Sequence, residues 1–140
     1  MPSLKTYDLF ISHAWKYGDQ YDRIVNMLDS APYFTYRNYS APEDKPIVPY
    51  GTTISNTMLE NAINNKIRPV NAVIVLSGMY VAYHDWLQYE IDVAKHYKKP
   101  IIGVRPWGSE VVPGAVTAAA DIIVGWNTMS IVDAIREYSI

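Results

Sequence analysis

The sequence predicts an α/β domain with a flavodoxin-like, doubly wound sheet of five parallel strands in the order 2-1-3-4-5. Three observations predict it. Short apolar runs rich in β-formers alternate with amphipathic segments nearly five times along the chain. The run Asn71–Ser77 is apolar without alternation, as expected of a strand covered on both faces. The 140 residues suffice for one core, so residues 1–140 are read as a single domain.

The elements follow in order. Tyr7–Ser12 reads as the buried first strand. Gly18-Asp19 opens a helix with Asp19 as the expected N-cap, and Tyr21, Ile24, Val25 and Leu28 form its apolar stripe. Phe34–Tyr39 carries the aromatics of a second strand. Pro42, Pro46 and Pro49 keep Ala41–Gly51 from forming a long helix or strand. A helix is expected over Thr53–Lys66, then the strand Asn71–Ser77. The next helix, Trp86–Tyr97, is stopped by Lys98-Lys99-Pro100. Ile101–Val104 and Asp121–Gly125 are strands four and five, separated by an irregular stretch with a short alanine-rich helix at its end. Asn127 or Thr128 caps a final helix with Ile131, Ala134, Ile135 and Tyr138 as its stripe.

Composition removes several function classes. Nearly half the residues are apolar, so disorder is excluded. The net charge of −2 gives no basic footprint for nucleic acid. The absence of cysteine excludes disulfides and thiolate chemistry. No apolar run is long enough to span a membrane, and Met1–Lys5 leads directly into strand one, leaving no room for a signal peptide. The expected location is the cytoplasm.

Glu90 stands out within the Trp86–Tyr97 helix. Asp85 is placed to cap that helix, with Gln88 three residues on as its partner. Leu87, Ile91 and Ala94 form the apolar face, and Glu90 falls on its shoulder beside Trp86 and Tyr97. A carboxylate half withdrawn from water is uncommon unless it is paired or used. The plain alternative is a surface acid whose stem lies on apolar neighbours. In a doubly wound sheet, ligands bind beyond the C-terminal strand ends, between strands one and three. The residues leaving those strands are Ser12, His13 and Trp15, and Ser77. Together with Glu90 and Trp86 they make the candidate site. Ser12 and Ser77 could instead only hold turn backbone, His13 and Trp15 could equally cap the loop, and Trp86 alone reads first as a packing residue.

Missing motifs narrow the chemistry. Neither G-x-G-x-x-G nor G-x-x-x-x-G-K-[ST] occurs, so the usual phosphate cradles are absent. His13, His84 and His96 have no metal-ligand spacing, and no metal site is expected. Ser77-Gly78 lacks the G-x-S-x-G frame. A phosphoacceptor receiver would need acids at the ends of strands one and three, where Ser12-His13 and Ser77 stand.

Asp8-Leu9-Phe10-Ile11-Ser12-His13 resembles the opening strand of TIR and TIR-like domains. Val73–Ser77, Tyr80 and Trp86-Leu87-Gln88-Tyr89-Glu90 resemble their central strand and following helix, and Lys99–Val104 the next strand. The proline-rich Ala41–Gly51 stands where that family has its BB loop. The resemblance spans essentially the whole chain and is closest to the bacterial branch that includes the NAD-processing subunits of Thoeris antiphage defence. It implies a TIR-like fold and cleavage of the nicotinamide–ribose bond of NAD+, producing an ADP-ribose-derived signal. NAD+ would be the substrate, and no cofactor is implied. Glu90 takes the place of the family's essential glutamate, and Ser12, His13, Trp15 and Ser77 line the pocket. His13-Ala14-Trp15 departs from the acidic or arginine-bearing loop of many plant and animal members, which bears on substrate recognition. Implied partners are other copies through TIR–TIR contacts and an effector reached by the nucleotide signal, with no nucleic acid and no membrane.

This chemistry can run on one carboxylate. Nicotinamide leaves as a neutral ring and needs no general acid, unlike an O-glycoside leaving group. The carboxylate holds the ribose hydroxyls and stabilises, or attacks, the cationic sugar. Trp15 or Trp86 could stack on the charged ring. Two other readings stand beside it. One is a non-catalytic TIR-type interaction module using the tyrosine-rich Tyr33–Tyr50. The other is a nucleoside deoxyribosyltransferase-like enzyme.

Overall fold

Five parallel strands are hydrogen-bonded in the order β2-β1-β3-β4-β5. They are β1 (Thr6–Ser12), β2 (Thr35–Asn38), β3 (Ala72–Leu76), β4 (Ile101–Val104) and β5 (Ile122–Val124). The helices are α1 (Gly18–Ser30), α2 (His84–His96), α3 (Gly114–Ala119) and α4 (Thr128–Tyr138), with a further helical turn at 64–67. The computed structural model describes residues 6–12, 18–39, 64–76, 84–105 and 114–140. The proline-rich segment and most of the helix expected over Thr53–Lys66 lie outside the described residues. Of the described residues within or next to that expected span, 64–67 are helical.

The strand order is the expected one, and the reason lies in the two-sided burial of the central strands. Every residue of β3 is buried. Its alternate side chains enter two separate cores: Ala72, Ile74 and Leu76 one, Val73 and Val75 the other. In β1, Leu9 and Ile11 face the first core and Phe10 the second. α1 and α4 cover the first face through Ile24, Leu28, Ile131 and Ile135. α2, α3 and the 64–67 turn cover the second through Ile91, Ala94, Val116 and Ile67. Each such side chain contributes about 1.5–3 kcal/mol when fully removed from water, so both faces must be covered for β3 to persist.

Boundaries differ from expectation where polar side chains take over from the ladder. The third strand was expected from Asn71, but Asn71 sits just before it as a junction. Its Oδ1 accepts from Asp8 N–H at 2.8 Å, and its own N–H donates to Asp8 O at 2.6 Å. Its Nδ2 donates to a main-chain oxygen of Ile140 at 2.7 Å. Asp121 does the same before β5: its Oδ2 accepts from Ile101 N–H, and its N–H donates to Ile101 O, both at 2.8 Å. The second strand is shorter than Phe34–Tyr39. Phe34 leaves the ladder to stack between Tyr7 and Tyr36, with ring centroids 5.6 and 5.8 Å away, and Arg136 lies over its ring at 5.7 Å.

Helix ends also refine the expectation. Asn127 is the N-cap of α4, with extended backbone and Oδ1 accepting from Ser130 N–H at 3.0 Å. α1 begins at Gly18, so Asp19 lies inside it rather than at its cap. α2 closes in a left-handed turn. Lys98 has φ 57°, its N–H donates to Lys95 O at 3.1 Å, and Lys99 N–H donates to Ala94 O at 2.8 Å. This is a Schellman ending with lysine where glycine is usual. Among the described residues, no helix is long and apolar enough to cross a membrane.

Candidate active site

α2 leaves the C-terminal side of β3 and runs back along the second face of the sheet. It starts at His84, two residues earlier than expected, so Asp85 lies in its first turn and not at its cap. Gln88 reaches forward along the helix, its Nε2 donating to Asp92 Oδ1 at 2.9 Å.

Glu90 lies deeper than the expected half-buried shoulder. It is 2% exposed, and among the described residues it is the buried charged side chain in a core otherwise of apolar groups. The physical reason is the width of the inward face. Val93 is buried along with Ile91 and Ala94, and Tyr97 is packed against the same cluster. An inward arc that includes positions 90, 91, 93, 94 and 97 is centred near Glu90 and Ala94, not on Leu87 and Ile91. Tyr97 is held there by its hydroxyl, which donates to Asn64 Oδ1 at 2.7 Å and ties α2 to the 64–67 turn. Glu90 is midway along α2, so at about 1.5 Å rise per residue it stands about 9 Å from the helix start.

Of the other expected site residues, Ser12 ends β1 and is in register with Val75 of β3. That places it at the C-terminal edge between strands one and three. Trp86 is in the first turn of α2, and its side chain is outside the description. His13, Trp15 and Ser77 lie outside the described residues. Ser12 thus stands at the C-terminal edge of the sheet, with Glu90 midway along the helix that follows β3.

Such a burial is expensive in physical terms. Taking a carboxylate out of water costs several kcal/mol before any compensation, and Glu90 does interact with its surroundings.

The family model described as Thoeris protein ThsB, TIR-like domain, matches residues 10–111. The chain belongs to this family. The ThsB match runs from β1 through β4 and includes α2 with Glu90. Among solved structures, the ThsB-like chain is similar to the CMP N-glycosidase BcmB of Clostridium botulinum. The two are 15% identical, with a TM-score of 0.51, over 94% of this chain and 99% of that one. At that identity the likeness is one of fold. Among curated proteins, none matches the sequence.

Proposed function

We propose that the protein is an NAD+ nucleosidase of the ADP-ribosyl cyclase or transferase kind, with Glu90 as its essential carboxylate. The observation that carries this reading is Glu90 itself: a charged residue buried on the helix after the central strand, in a ThsB TIR-like chain. In the proposed reaction the bond between ribose C1 and the nicotinamide nitrogen breaks, and its electron pair leaves with the ring. Glu90 stabilises the cationic sugar or attacks it. Water then adds at C1 and loses a proton, giving ADP-ribose. Alternatively a nucleophile of the same molecule adds and closes a ring. Ser12, His13, Trp15, Ser77 and Trp86 are the proposed pocket residues. The product would act as a signal to an effector in antiphage defence.

Release of nicotinamide from NAD+, followed by chromatography, tests the reading. Glu90→Gln is expected to lose about 100-fold or more in rate, the scale of removing one transition-state electrostatic contact. Equal release by wild type and variant would remove Glu90 from its role.

A second reading is cleavage of a nucleotide base in place of nicotinamide, supported by the fold likeness to a CMP N-glycosidase. Both substrates break an N-glycosidic bond at C1. Offering NAD+ and CMP together separates them: loss of CMP with NAD+ intact favours the second.

A further inference from the structure

The N-terminal edge of the sheet carries a concavity of about 370 Å³, lined by Lys95, Lys98, Lys99, Pro100, Asp121 and Tyr138. Pro100 and Asp121 precede β4 and β5, so this pocket opens at the N-terminal strand ends. The crevice expected for the reaction lies at the C-terminal ends. The sequence signal was present, three lysines within the five residues 95–99, but it reads simply as a helix stop.

Three features argue for more than a stop. The chain has net charge −2, yet three of its 12 Lys and Arg residues meet here against one acid. That acid has one oxygen committed to Ile101 N–H. No salt bridge among the described residues engages the three lysines. Lys98 also occupies the left-handed C′ position, where glycine would be conformationally cheaper. Strained placement of a functional side chain is a recognised pattern at ligand sites.

The negative end of α2 works against an anion here. That repulsion is blunted, because Ala94 O and Lys95 O already accept from Lys99 and Lys98 N–H, and Ile135 O of α4 accepts from Ser139 N–H.

We propose that this pocket binds a phosphate-bearing small molecule of mononucleotide size or smaller, at a site separate from Glu90. The volume falls within the range of small-ligand pockets, and the lysine ammonium groups suit phosphate oxygens. Tyr138 is also part of the lining. Because Lys95 and Glu90 share α2, about 8 Å apart along its axis, occupancy of the pocket bears on the helix that carries Glu90. The proposal does not depend on which N-glycosidic bond the protein cleaves.

The test is calorimetric titration of the full chain with inorganic pyrophosphate and, separately, with AMP. Wild type and Glu90→Gln are expected to bind equally. Lys98→Gly and Lys99→Gln are each expected to bind about tenfold more weakly, the scale of one charge-assisted contact. Lys98→Gly is further expected to melt at a higher temperature than wild type, so its loss of binding cannot be ascribed to misfolding. Tighter binding of AMP than of pyrophosphate, or equal binding, supports the proposal and tells whether the nucleoside is read. Absence of binding to wild type, equal binding by the lysine variants, or binding that sulfate reproduces at equal ionic strength overturns it.

Discussion

Glu90 concentrates the physical conflict in this molecule into one side chain. A carboxylate at 2% exposure has to be compensated by what surrounds it, and Glu90 does interact with its surroundings. Under the proposed role, Glu90→Gln, which keeps the volume, is expected to lose most nicotinamide release while the fold is kept. Chromatography checks the first half and circular dichroism the second. A variant that fails to fold would mean that the carboxylate serves the fold. The residue was legible in the sequence because its position on α2 follows from helical periodicity. Its depth was not, because depth depends on Val93 and Tyr97 packing against the 64–67 turn, a segment distant in the chain.

At the scale of elements, the close approach of α3 to the sheet rests on Gly103 in β4. A Cβ added there would stand 3.3 Å from Ile123 Cγ1 and from Val116 Cγ1, and 3.5 Å from Ala120 Cβ. Gly103→Val, although better suited to a strand by propensity, is expected to destabilise by about 2 kcal/mol through overpacking. Urea unfolding measures it, and a stabilised variant would show that α3 can move away freely. The five strands and the helices around them were readable from apolar runs and turn residues. Some ends were readable too, among them both ends of β4 and the Asn127 cap, but others were not. Asn71 and Asp121 carry side chains that mimic the backbone ladder, and α2 ends in a left-handed lysine for which local propensity gives no warning. These are choices made by neighbours in space.

For the whole molecule, Asn71 joins the central strand to β1 and to Ile140, 69 residues away. Asn71→Ala removes an acceptor for Asp8 N–H and a donor to Ile140, and is expected to cost about 2 kcal/mol. The denaturant midpoint should fall with an unchanged slope if the sheet still melts as one unit. The two edges of the sheet differ in character. The C-terminal edge gathers Ser12 and the start of α2, with Glu90 buried further along the helix, whereas the N-terminal edge gathers the lysines 95, 98 and 99. One helix spans both.

The sequence by itself determined the strand order, since apolar runs long enough to be buried twice leave few topologies. It determined the family through motifs kept in order along the chain, and it singled out Glu90. The tertiary structure decided how far Glu90 lies from water and which polar side chains start β3 and β5. It also brought Asp121 and Tyr138 beside three lysines. The reason is physical. Periodicity within a segment fixes which face turns inward, but burial depth and the meeting of remote groups are set by what the other segments place against that face.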